Sequence, residues 1–132
     1  MIALDTNVLI RYLVEDDVKQ SAAAAALIER AIAHHEALFI SDIVVCETVW
    51  VLGVSYHVAR TKIAAVLREL FRARHLTFSA TDQLIRALDA YESGKGDFAD
   101  YLIRQRARAA MCESVATFDR VLLREKGFTA PR

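Results

Sequence analysis

Asp5, Glu47, Asp100 and Asp119 are far apart in the chain, yet each stands where an α/β fold would bring it to one edge of its sheet. Asp5 ends the first strand pattern, IALDTN, and Glu47 interrupts an apolar helix pattern, IVVCETVWVL. Asp100 follows a glycine break in GKGDFADYLI, and Asp119 lies just past the last apolar strand in SVATFDR. Carboxylates gathered in one pocket repel, so some stay protonated or a hard cation joins them. Oxygen-only ligands suit magnesium or manganese rather than zinc or copper. One or two such ions can lower the pKa of a bound water, orient it for attack and stabilise charge on the attacking and leaving oxygens. No protein nucleophile is then required, in agreement with the absence of a Ser/His/Asp or Cys/His set. His34, His35, His57 and His75 fall on predicted helix ends or turns and read as surface residues.

Each acid also has an ordinary explanation. Asp97 and Asp119 fall in first helical turns, where the helix dipole favours a negative charge by about 0.3–1 kcal/mol without any function. Asp5 could serve a turn, and Asp100 could be solvated. Glu47, with Val44, Val45, Val49 and Val51 around it, is expected to have little water, a costly place for an unpartnered carboxylate. Four acids at convergent positions favour a site over four separate coincidences.

The elements that must position these acids are legible as alternating strands and helices. MIALD is a short apolar run of the kind buried on both faces of a sheet. Val8 to Val14 reads as a short helix, and Asp16 or Asp17 can cap a longer alanine-rich one through KQSAAAAALIERAIAHH. Residues 37–40 form a second strand. Ser41 then caps a helix over 42–53 that is apolar nearly all round and so expects cover on more than one side, with Trp50 and Val51 facing a helix or a second subunit. Further on, 57–73 is an amphipathic helix, 76–79 a third strand, 81–92 a helix stopped by the Gly94 to Gly96 break, and 97–110 a helix. A strand at 114–117, a short helix at 118–126 and an edge strand at 128–130 complete the chain. Strands separated by helices imply right-handed crossovers and a parallel sheet, with ligands beyond the carboxyl ends of the strands.

With 132 residues, the chain is the size of one domain and is read as such over 1–132. Hydrophobic residues make up 55% of it against four glycines and one proline, which belongs to a compact, helix-rich fold. Lysine plus arginine equal aspartate plus glutamate at 17 each, so a general polyanion-coating protein is excluded and any nucleic-acid contact must be local. Arg68, Arg72 and Arg74, and likewise Arg104, Arg106 and Arg108, read chiefly as helix faces kept in water. Cys46 and Cys112 lack metal-site spacing and read as buried thiols in a reducing compartment. No stretch reaches the roughly 20 apolar residues of a membrane span, and no charged leader precedes the first strand, so a soluble, cytoplasmic protein is expected.

LDTNVLIRYL, the lone Glu47 in ETVWVL, GDFADYLIRQRA and VATFDRVL, taken in order and with their spacings, resemble the PIN-domain ribonucleases, and among them the VapC-type toxins of bacterial toxin–antitoxin pairs. The resemblance covers almost the whole chain. It implies an α/β, PIN-like three-layer sandwich, a central parallel sheet of four to five strands flanked by helices, usually dimeric. It also implies Asp5, Glu47, Asp100 and Asp119 as catalytic and metal-binding acids, with Thr6 and Asn7 supporting them. DFAD offers two acids: Asp100 is assigned because it precedes the LI pair, and Asp97 stays open as a further ligand. The implied activity is endonucleolytic cleavage of RNA with Mg2+ or Mn2+ to give a 5′-phosphate product. The implied partner is a small VapB-like antitoxin whose C-terminal segment covers the groove. Arg11 is a candidate RNA contact, with a solvated helix face as its plain alternative.

Two other phosphoryl-transfer classes are weaker. A phosphatase of the haloacid-dehalogenase type needs an aspartate two residues after the first, where this chain has Asn7. A receiver domain needs one at the end of its third strand, where Phe78 and Ser79 stand. The non-enzymatic rival is a PIN-like domain that binds an antitoxin or RNA without cutting.

Overall fold

The structure, a computed structural model, describes residues 1–132. Contacts divide the chain into two compact units, Met1–Ala80 and Thr81–Arg132.

In the first unit, β1 (Ile2–Ala3), β2 (Leu38–Ile40) and β3 (Leu76–Phe78) form a parallel sheet in that order, with Ile2 opposite Leu38 and Leu38 opposite Leu76. Leu4 N–H extends the β1 ladder by donating to the Phe39 carbonyl at 2.8 Å. Four helices supply the crossovers: α1 (Thr6–Leu13), α2 (Val18–Ala33), α3 (Asp42–Val54) and α4 (Arg60–Arg72). Three start on side-chain caps. Asp5 Oδ1 accepts from Thr6 N, Asp17 Oδ1 from Gln20 N, and Ser41 Oγ from Val44 N, each satisfying an amide that a first turn leaves without a partner. Of the two aspartates available before α2, Asp17 is the cap. The core holds Leu9, Ile28, Leu38, Ile40, Val45, Ile63 and Leu67, and Phe71 meets Phe78 edge-on at 5.0 Å.

The second unit comprises α5 (Thr81–Ser93), α6 (Phe98–Ala109), β4 (Val115–Ala116), a single 3-10 turn at Leu122–Arg124, and β5 (Phe128–Thr129). β4 and β5 pair in parallel. Leu84, Leu88, Phe98 and Tyr101 are fully buried, and Tyr91 packs edge-on against Phe98.

The α/β class, the helices and the parallel pairing are as expected. The five strands, however, pair as a three-stranded ladder and a separate two-stranded one rather than in a single ladder of four to five. The short helix expected over 118–126 is a turn followed by one 3-10 turn, because the side chain of Asp119 draws the 121 and 122 amides into a local turn. Cys46 is half-buried and Cys112 exposed, so the reading of both as buried thiols is corrected: Cys112 lies in the turn that ends α6 rather than on its packed face. No helix is long and apolar enough to cross a membrane.

Candidate metal centre

Asp5 follows Leu4, whose amide extends the β1 ladder, and caps α1 with its own side chain. One residue on, Thr6 Oγ1 donates to Glu47 Oε1 at 3.1 Å, tying a residue 41 positions away to the carboxyl end of β1. The two acids of the first unit are thus joined through Thr6, one of the two residues, with Asn7, expected to support them. Glu47 is exposed rather than enclosed. At 100° per residue, Val44, Val45, Thr48, Val49 and Leu52 form the buried face of α3, while Ile43, Glu47, Trp50 and Val54 share the opposite one. Trp50 is 62% exposed and Val51 half-buried, so no element of the chain provides the cover expected for Trp50.

Asn7 is exposed and lines a cavity of about 560 Å³ together with Val8 and Arg11 of α1 and Gln20, Ala23, Ala24 and Leu27 of α2. None of the four acids lines it. Arg11 is committed to its own neighbourhood: Nε donates to Gln20 Oε1 at 2.7 Å, and Nη1 to Asp16 Oδ1 at 2.9 Å and Tyr56 OH at 3.2 Å, while Tyr56 OH donates to Asp16 Oδ2 at 2.8 Å. The Tyr56 hydrogen bond, reinforced by the Arg11 charge, holds Asp16 below the usual carboxylate range. Arg11 therefore acts as a strap from α1 to the loop before α2 and to the end of α3, which weakens its candidacy as an RNA contact.

In the second unit, Asp97 is the N-cap of α6 and Asp100 its third helical residue, in a capping-box arrangement where Asp97 N donates to Asp100 Oδ2 at 2.9 Å. Asp100 is half-buried; Asp97 is exposed. Burial pushes the Asp100 carboxyl above its ordinary pKa; the bond from Asp97 N opposes this, and the charges of Asp97, Asp119 and Glu125 add to it. Asp119 sits in the loop after β4, its Oδ1 accepting from Val121 N at 2.8 Å and Leu122 N at 3.4 Å, its own N–H donating to Thr117 Oγ1 at 3.0 Å. No lysine, arginine or histidine forms an ion pair with any of the four acids or with Asp97.

Sequence reasoning missed the hub behind Asp100. Tyr101, fully buried, donates to Glu125 (2.9 Å to Oε1, 2.7 Å to Oε2), and its hydroxyl oxygen accepts from Gly96 N at 2.9 Å. It thereby pins the loop that carries Asp97 to the segment that follows Asp119. Gly94 and Gly96, read as a helix stop, leave room for that ring. Arg104, expected on a wet helix face, lies over the rings of Tyr101 (5.1 Å) and Phe128 (5.3 Å) and donates to the Lys126 carbonyl.

The donor chemistry fits a hard divalent cation: the oxygens are all carboxylate or hydroxyl, and the negative charge about Asp100 meets no cation of the chain's own. No set of three or more Asp, Glu, His or Cys side chains is already gathered as a cage. Carboxylates just past strand ends (Asp5, Asp119) and in the first turn of a helix (Asp100) on an α/β fold are compatible with a class in which a cation on oxygen ligands supplies the chemistry. The chain belongs to the PIN domain family, whose pattern matches residues 2–128. PIN domains are generally nucleases that use divalent metal ions. No curated protein matches the chain.

Proposed function

We propose that this chain, acting as one PIN-like domain over residues 1–132, is a Mg2+- or Mn2+-dependent endoribonuclease and the toxin of a toxin–antitoxin pair of the VapC type. The observation that carries the reading is Asp100, a half-buried carboxylate among other acids with no basic partner. An arrangement that costs stability without a cation is what a cation-binding residue requires.

Asp5, Glu47, Asp100 and Asp119 would hold the metal, with Asp97 as the open alternative. When bound, the ion would lower the pKa of a water and stabilise charge on the phosphodiester oxygens. The chain's own residues do the positioning. Thr6 orients Glu47 by its hydroxyl, the Asp97 amide fixes one oxygen of Asp100, and the Val121 and Leu122 amides fix one oxygen of Asp119. Each of these side chains is thus held locally before the substrate arrives, which limits its own reorganisation. The expected partners are RNA, a small VapB-like antitoxin that covers the groove, and a second copy of the chain; the exposed apolar stripe of Ile43, Trp50 and Val54 supports self-association. A cytoplasmic setting goes with these partners.

The second reading, a PIN domain that binds antitoxin or RNA without cutting, draws on the absence of a preformed three-ligand cage. Purified protein freed of partners and incubated with total cellular RNA separates the two. The nuclease reading expects discrete fragments with 5′-phosphate ends in Mg2+ or Mn2+, and none after chelation. Intact RNA across all divalent ions supports the binding-only reading.

A further inference from the structure

Phe118 is 87% exposed. An aromatic ring ordinarily buries most of its area, so a phenylalanine left in water on an ordered loop is unusual. The loop is held on both sides of the ring: Asp119 N donates to Thr117 Oγ1 at 3.0 Å, and Asp119 Oδ1 accepts from Val121 N at 2.8 Å. Met111 is as exposed, at 90%, but it lies in the turn after α6 with no candidate ligand beside it. Phe118 instead directly precedes Asp119, one Cα step of about 3.8 Å away. On the other side of Asp119, Arg120 is exposed and holds no ion pair or hydrogen bond within the chain.

We propose that Phe118 is a stacking platform for one base of single-stranded RNA, with Arg120 contacting the neighbouring phosphate, so that this loop seats the nucleotide beside the carboxylate of Asp119. The proposal rests on the ribonuclease reading and extends it to how the substrate is held. A flat ring between polar neighbours, Thr117 and Asp119, suits one base face better than the broad apolar stripe that a partner helix would need. In a chain of zero net charge, such local contacts must supply the affinity that a basic surface supplies elsewhere.

The test measures binding of a short mixed-sequence single-stranded RNA carrying 2-aminopurine, with Ca2+ in place of Mg2+ to prevent turnover, and in parallel cleavage in Mg2+. Phe118→Ala and Phe118→Leu are expected to weaken binding roughly 5- to 150-fold and to lose the fluorescence quenching that stacking produces, whereas Phe118→Trp keeps both. Leucine retains apolar area without a π face, so equal binding by Phe118→Leu and wild type overturns stacking. Equal binding and cleavage by Phe118→Ala overturns the platform and leaves the ribonuclease reading standing. A change confined to the oligomeric state of Phe118→Ala, with RNA affinity intact, overturns it in favour of a contact between copies. Wild-type protein that neither binds nor cuts the RNA overturns both.

Discussion

Asp100→Asn is expected to raise the unfolding midpoint near neutral pH while lowering metal-dependent RNA cleavage by at least about a hundredfold. The two effects share a cause. Burial raises the pKa of Asp100, and Asp97, Asp119 and Glu125 raise it further, so the folded state binds this proton more tightly than the unfolded chain does. Stability from this group is full below the unfolded pKa and is lost as pH climbs through the folded one, leaving the ionised carboxylate a cost at neutral pH. Asparagine removes the charge and keeps an oxygen to accept from Asp97 N, so the start of α6 survives. Thermal unfolding from acid to neutral pH should show the variant without that part of the pH slope. Added Mg2+ should narrow the gap by stabilising the wild type alone. A variant less stable than wild type at neutral pH would mean that Asp100 is a cap and nothing more.

Gly94→Ala carries the largest expected cost to folding. A Cβ at this position would collide with the Tyr101 hydroxyl and lie 2.8 Å from both Tyr101 Cζ and the Ala90 carbonyl oxygen. Tyr101 cannot withdraw freely, because its hydroxyl joins Gly96 to Glu125. Relief requires the ring or the loop to shift, with an overpacking cost of about 1–3 kcal/mol and loss of a buried hydrogen bond adding about 1–3 kcal/mol. Urea titration should show the midpoint falling accordingly. Cleavage measured where the variant is still folded should fall too, since the loop bearing Asp97 moves. A midpoint equal to wild type would show that the Tyr101 hub is loose.

Most elements are legible in the sequence because their signals are local. Alternation of strand and helix, the caps at Asp17 and Ser41, and Asp5 at the end of β1 all depend on residues within a few positions of each other. What failed depends on tertiary choice. A helix apolar nearly all round does not disclose which face the core will take, so Glu47 was expected to be enclosed and is exposed. The helix over 118–126 was lost to one side chain: Asp119 offers its own oxygen to amides that a helix would have engaged. The Tyr101–Glu125 and Arg104–Phe128 contacts join residues 24 apart in each case, and no spacing rule in a single sequence links them. The bond from Thr6 to Glu47 spans 41 positions, and the resemblance implied only that Thr6 or Asn7 supports the acids. Phe118 falls at the start of the helix expected over 118–126, and nothing in its sequence neighbourhood discloses its exposure.

The proposed action of the acids through a bound cation is tested most directly by the Asp5→Asn/Asp100→Asn double variant. Purified free of any partner, it should fold, as circular dichroism and a cooperative thermal transition would show, and cut no RNA in Mg2+ or Mn2+ under conditions where the wild type does. Magnesium-dependent cleavage by the folded double variant at the wild-type rate would contradict it.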